Sequence, residues 1–491
     1  MKMIYGVKDR PKAGRLVLFS LQQLLAILAA TIAVPMIVGN GMSPAAALFG
    51  AGIGTIVYLL FTNFKSPVFL GSSFAFLGSM SVAFTDVSTS LGYLGLIIGA
   101  AFAGLVYVII AIIVKFAGVK WIDKIMPAVV IGPTVAIIGL SLAGNAVKDL
   151  VSSGFGYASF DAIAGAWVMD LNAILCLICG IVTLGTTVAC SVYGKKMIKM
   201  IPFIIGILAG YILAAIFTGF SYIEGAEAMR IIDFSKFASM QWYPDFAFVS
   251  AIGEFKISES IGSMGAYIGT IAVAYIPVAF VVFAEHLADH KNISSIIETD
   301  LLTDPGLSRT LLGDGIGSVA GAVFGGCPNT TYGESVGCVA ISGNASVVTI
   351  VVTACMAVLC AFLAPFTTFL ASIPKCVMGG VCIALYGFIA VSGLKMIQKV
   401  DLGDNKNLFV VSIILIAGVG GMALKFGPVK MTEVACALVL GIVANLLVNL
   451  KGKKGKEEEQ LVMEEIGDTV LAETAQDDTV AEEKEADKEE N

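Results

Sequence analysis

The chain has 491 residues, 57% of them hydrophobic and 14% charged, with a mean hydropathy of +0.90. No water-facing surface can be built from that balance over such a length, so a string of soluble domains is excluded and most of the chain must face lipid or other buried helices. The net charge of −7 is local: residues 451–491 carry 15 acidic residues against 6 lysines, which leaves the remainder at +2.

In chain order, residues 1–15 form a short basic lead (Lys8, Arg10, Lys12, Arg15), followed by an apolar run from Leu16 to Val38. That run is long enough to span a bilayer and no small-residue cleavage site follows it, so it is read as a retained first helix. Further apolar segments are centred near residues 53, 76, 103, 134, 181 and 209, then 275, 317, 336, 357, 385, 415 and 441. The expectation is an all-α polytopic membrane protein with about fourteen transmembrane segments, several shorter than the ~20 residues of an ideal spanning helix. Residues 16–219 hold the first seven segments, 220–262 an extracellular connection, 263–450 the second seven, and 451–491 an acidic, disordered cytoplasmic tail with too little apolar surface to fold.

An even number of crossings puts both termini on one side. That side collects Lys8, Arg10, Lys12 and Arg15, Lys195 to Lys199, Lys395 to Lys399 and Lys451 to Lys456, whereas the other receives only Lys148, Arg230, Lys236, Lys256, Lys375, Lys425 and Lys430. The positive-inside rule then makes both termini cytoplasmic and the inner (cytoplasmic) membrane the location. The ten cysteines lie within apolar runs; Cys176 and Cys179 form a CxxC, but inside an apolar helix it serves packing rather than redox or zinc chemistry. Glycines such as Gly50, Gly52, Gly54, Gly379 and Gly380 suit close helix contact. No phosphate-binding loop is present among the glycines, which argues against an ATP-driven pump.

Two segments are broken. Lys65-Ser-Pro-Val-Phe-Leu-Gly-Ser-Ser-Phe-Ala-Phe76 is third in the first half, and Gly325-Gly-Cys-Pro-Asn-Thr-Thr-Tyr-Gly-Glu-Ser-Val-Gly337 is third in the second. Interrupted segments at corresponding positions point to inverted repeats with a ligand site near the midplane. Unpaired backbone groups at that depth cost several kcal/mol each unless protein, water or a ligand satisfies them, so a polar, amide-rich ligand would suit the place.

Intramembrane acids mark ion or substrate paths. Glu285 and Asp289, four residues apart in the eighth segment, share a helix face, while the only two histidines, His286 and His290, form the neighbouring stripe. Glu334 follows Tyr332 and Gly333 in the broken tenth segment, where side chain and main chain can together read the donors and acceptors of a planar ligand. A metal site is not expected, because the chain has no further histidine to complete one. An anion carrier of the same architecture would want positive charge where these acids stand.

At these residues the sequence resembles the nucleobase–ascorbate transporter family, and most closely its bacterial uracil-transporting branch. The resemblance runs through Ser20-Leu-Gln-Gln23, Ala30-Thr-Ile-Ala-Val-Pro35, Gly71-Ser-Ser-Phe-Ala-Phe76, Ala284-Glu-His286, Asp304-Pro-Gly306 and, most specifically, Pro328-Asn-Thr-Thr-Tyr-Gly-Glu334. It implies two inverted seven-segment repeats, a core of segments 1 to 4 and 8 to 11, a gate of segments 5 to 7 and 12 to 14, and short strands in segments 3 and 10. It implies that Glu285 and Glu334 hydrogen-bond a nucleobase, with the backbones of Phe74 and Gly333 completing the contact and Tyr332 shaping the pocket. It also implies a homodimer through the gates, with neither a cofactor nor a nucleic-acid partner. The expected activity is proton-coupled uptake of uracil by alternating access, a transport function rather than an enzymatic one. Burial disfavours a charged carboxylate, so Glu285 is expected to take up and release the coupling proton, with Asp289 and His286 as further candidates. In one respect the chain departs from the branch: Asp289 stands where histidine is found, as in purine-transporting relatives, so xanthine or another purine is the alternative substrate.

Overall fold

A computed structural model of the chain describes residues 3–118, 127–152, 155–156, 158–161, 166–195, 197–259, 261–426 and 429–450. The first half comprises helices α1 (Ala13–Val38) and α2 (Pro44–Phe61), strand β1 (Leu70–Ser72) leading into α3 (Leu77–Ala83), then α4 (Thr89–Ala117), α5 (Ala128–Ser141), α6 (Leu171–Tyr193) and α7 (Pro202–Phe220). The second half repeats the pattern: α8 (Met264–Ile297), α9 (Leu307–Gly325), strand β2 (Asn329–Thr331) leading into α10 (Gly333–Ser342), then α11 (Val347–Cys360), α12 (Lys375–Ile397), α13 (Asn405–Val419) and α14 (Glu433–Leu450). Among the described residues eight helices are long and apolar enough to cross a membrane, and α11 with the bent piece after it (82°) makes a ninth. The expected acidic tail, 451–491, lies outside the described residues.

Local chemistry sets several boundaries. Ser43, Asp170 and Ser263 cap α2, α6 and α8 by accepting from the backbone amides of Ala46, Ala173 and Ala266, which fills otherwise orphaned N-terminal donors. Pro44 at the first position of α2 has no amide to waste there. Gly326, at φ +73°, turns the chain out of α9 toward β2.

Packing divides the segments into two groups. In the core α2 lies against α9 and α11, α4 against α8 and α9, and α1 against α10 and α11; in the gate α5 lies against α12, α13 and α14, and α12 against α6 and α7. Shifting every segment number by seven maps this arrangement onto itself. The α2–α11 contact becomes α9–α4, α1–α11 becomes α8–α4, α1–α10 becomes α8–α3, and α5–α13 becomes α12–α6. The fold is therefore two inverted seven-segment repeats forming a core and a gate, as expected.

The strands meet on the axis relating the halves, with Leu70 opposite Thr331, Gly71 opposite Thr330 and Ser72 opposite Asn329 in antiparallel register. Several backbone groups in and beside the strands are satisfied by protein, as membrane depth demands. Leu70 N donates to Thr55 Oγ1 (2.9 Å), Phe69 N to Ser335 Oγ (3.0 Å), Ser73 N to Pro328 O (2.9 Å), and the Tyr332 hydroxyl to Ser72 O (2.7 Å). Glycines permit the approach: a side chain at Gly50 or Gly54 would run into the backbone of α9, and one at Gly71 into the Tyr332 ring. Two further antiparallel strand pairs, Ala158–Asp161 with Ala166–Met169 and Leu424–Phe426 with Val429–Met431, lie between gate helices in the chain and are not anticipated from the sequence.

Candidate functional site

A cavity of about 380 Å³ lies between core and gate where the broken segments meet. Its core wall is polar: Glu285 and Asp289 of α8, Thr330 of β2, and Gly333 and Glu334 at the start of α10. Its gate wall is apolar: Ile138 of α5, Phe203 of α7, and Leu385, Phe388 and Ile389 of α12. Phe203 lies in the first turn of α7 and Met396 in the last turn of α12, so the cavity extends toward the face where the N-terminus enters.

The 34 residues of α8 span about 51 Å at 1.5 Å per residue, more than a ~30 Å hydrocarbon layer. This length keeps Glu285 and Asp289 well inside the segment. They share one face, as their spacing predicts, and both are only partly covered because that face borders the cavity. Thr331 Oγ1 donates to Asp289 Oδ2 at 2.9 Å, whereas the Glu285 carboxylate takes no side-chain hydrogen bond among the described residues. Glu334 is the second residue of α10, and no side chain caps that helix. The first amides of a helix have no intrahelical partner and carry its positive dipole end, so α10 offers donors beside an acceptor. Phe74 opens the turn between β1 and α3, and its ring meets Tyr386 of the gate edge-on, with centroids 5.9 Å apart. Of the expected site residues, Glu285, Asp289, Phe74, Tyr332, Gly333 and Glu334 all line this one cavity.

His286 is placed differently. Its ring is fully buried behind α8, with Nδ1 2.7 Å from Asp314 Oδ2 and Nε2 3.0 Å from Thr310 Oγ1, both on α9. His290 stacks on it, ring centroids 4.0 Å apart. His290 Nδ1 lies 2.8 Å from the carbonyl oxygen of His286, which can only accept, so that nitrogen carries a proton. Its Nε2 then faces the Tyr58 hydroxyl at 2.7 Å, which in turn lies 2.6 Å from Ser66 Oγ. Asp314 also receives Thr330 Oγ1 at 3.4 Å, connecting this buried group to the strand at the cavity wall. Asp314 was missed in the sequence, although an acid between Gly313 and Gly315 inside an apolar segment is itself a signal. Among the described residues no group of three or more His, Cys, Asp or Glu side chains is placed to hold a metal ion.

Comparison with known proteins agrees with this architecture. A family model described as the Permease family matches residues 14–426. The chain belongs to this family, the nucleobase–ascorbate transporters. Family relatives include the uracil permease of Bacillus caldolyticus, 36% identical over 452 residues (91% of this chain, 95% of that protein). The uracil permease of Escherichia coli K12 is 33% identical over 448 residues (91% and 94%). Among solved structures, the transmembrane domain of the cyanobacterial bicarbonate transporter BicA superimposes with a TM-score of 0.58 at 16% identity, covering 90% of this chain and 99% of that one. The murine anion transporter Slc26a9 in its inward-facing state gives 0.59 at 13% identity, covering 90% and 69%. At such identities these two share the fold alone. This family member is a multi-pass membrane permease and not an enzyme.

Proposed function

We propose that this permease carries uracil into the cell together with protons, the core moving the central cavity past the gate by alternating access. The observation that supports this most is the convergence of three carboxylates and the uncapped start of α10 on one wall of a cavity whose opposite wall is apolar. Uracil is a planar ring alternating N–H and C=O groups. Glu285 and Glu334 accept from its N–H groups, the backbone at Phe74 and Gly333 meets its carbonyls, and the aliphatic and aromatic gate covers its faces. A protonated Glu285 can donate as well as accept, which links proton uptake to binding of the base. Asp289 is the second proton-coupling group; His286, held by Asp314, acts from behind α8. The basic residues flanking the segments favour cytoplasmic termini in the cytoplasmic membrane. The exposed apolar faces of α6, α7 and α13 suit a homodimer through the gates.

The test is uptake of radiolabelled uracil by proteoliposomes under an imposed inward proton gradient. Uptake that a protonophore abolishes, that thymine blocks and that Glu285→Gln no longer couples to the gradient supports the reading; gradient-driven uptake by Glu285→Gln at the parental rate refutes the proton role. A second reading, a purine:proton symporter, is favoured by the presence of Asp289 in the cavity wall. Competition by xanthine or hypoxanthine in place of thymine decides for it.

A further inference from the structure

Three cavities lie in line along the cleft between core and gate. The central one shares Phe74, Ala75 and Ile138 with a neck of about 20 Å³, and the neck shares Gly78, Ser141, Leu142, Thr432 and Glu433 with a far cavity of about 440 Å³. Ile37 in the last turn of α1 lines the far cavity, as do the first residues of α12 and α14, Lys375 and Glu433. It therefore opens at the face opposite the N-terminus, the outer end of the route under the orientation proposed above. The neck, about 20 Å³ against about 380 and 440 Å³ on its two sides, is the constriction of the route in this state.

The chemistry of the far cavity differs from that of the centre. Lys148, Asp149, Lys375 and Glu433 line it together with Ser81, Thr85, Asn145 and Thr432. Asp149 lies within electrostatic reach of Lys375 and Lys148, yet among the described residues none of the four charged groups is joined in an ion pair. Charged groups of both signs that are not joined in ion pairs leave donors and acceptors available on the gate side of this cavity, opposite Ser81 and Thr85 of the core. A neutral ring with alternating N–H and C=O groups can bridge them, taking hydrogen bonds from ammonium groups and giving them to carboxylates.

We propose that this outer cavity is a second, weaker binding site for neutral cyclic ureides and imides, the chemical class of the nucleobase itself, occupied before the neck opens. The proposal rests on the nucleobase reading of the central cavity. The site is weaker because its lining is mostly polar and charged, with only Ile37, Leu77, Val82 and Leu142 to cover the ring faces. Its role is to raise the local concentration of substrate at the closed outer end of the cleft.

The test is equilibrium dialysis of labelled uracil, with xanthine in a parallel arm, against the purified full chain from micromolar to millimolar concentration. Wild type is compared with Glu285→Ala and with the double variant Lys375→Met, Glu433→Gln. The expected result is two components in the wild type, of which Glu285→Ala keeps the weaker and the double variant keeps the tighter; the retained tight component also shows that the double variant is folded. In uptake, the double variant is expected to raise KM about tenfold while leaving the maximal rate within about twofold, the signature of lost binding that does not distinguish ground state from transition state. A single component unaffected by the double variant overturns the outer site and leaves the central reading standing. Absence of binding of either base to the wild type overturns both.

Discussion

On the core wall of the cavity, polar groups are tied to neighbours in other segments: Asp289 to Thr331, Thr330 to Asp314, Asp314 to His286, and Tyr332 to the backbone of β1. On the gate wall, Ile138, Phe203, Phe388 and Ile389 offer only dispersion and ring contacts, such as the edge-on Phe203–Phe388 pair at 6.0 Å. Under the proposed alternating-access mechanism, the difference teaches how a ligand can be held firmly and still be carried. A surface that fixes a planar polar molecule needs its donors and acceptors immobilised beforehand, or binding must first order them. A surface that slides past needs no directional bonds to break, and apolar contacts of nearly equal energy in successive positions supply that.

The sharpest way to break this comparison is to remove core carboxylates. Glu285→Ala and Glu334→Ala are each expected to lower initial uptake about 10- to 100-fold, as loss of a charged hydrogen bond of about 1.5–3 kcal/mol predicts. Rates within twofold of the parent would show that the polar wall does not hold the base. Next in size is Gly71→Leu, whose side chain must displace the Tyr332 ring and disturb β1 against β2. Overpacking of this kind costs about 1–3 kcal/mol and should appear as a lower melting temperature in detergent as well as lost uptake.

Asp314→Ala probes the layer behind the wall. It leaves His286 Nδ1 buried without its partner, at about 1–3 kcal/mol, whereas Asp314→Asn keeps a polar group there and should recover most of the melting temperature. Equal losses in the two variants would mean that shape alone matters at that position. On the gate side, Phe388→Ala should change base selectivity more than rate, since it removes about 1–3 kcal/mol of apolar cover from a ring face and admits bulkier bases; competition assays with xanthine read this directly. The smallest effect belongs to Lys65→Ala. Its 2.6 Å pair with Asp304 is exposed at both ends, and exposed pairs contribute about 0–1 kcal/mol, so uptake and melting temperature should hardly move.

Much of the core wall is legible in the sequence because polarity stands out against an apolar background. Glu285 and Asp289 declare a shared face by their spacing, and the proline, glycine and hydroxyl interruptions around Gly71 and Thr331 announce backbone that cannot face lipid. Asp314 is legible by the same rule, but glycines on both sides make it look like part of a loop until α9 is seen to run unbroken through it. The gate wall is silent for a physical reason. Phe203, Phe388 and Ile389 are apolar residues in a chain that is 57% hydrophobic, and nothing in their spacing separates cavity lining from lipid contact. The partners of the histidines are equally hidden, because Tyr58 and Thr310 reach them through tertiary packing alone.

The antiparallel pairing of Leu70–Ser72 with Asn329–Thr331 also bears on how such a chain could arise and be divided. Each half supplies one edge of a two-stranded ribbon and neither can satisfy that edge alone within a bilayer. A half-length polypeptide could build the cavity only by meeting an upside-down copy of itself, and a gene cut between residues 220 and 262 should give two fragments that are inert apart and functional when synthesised together.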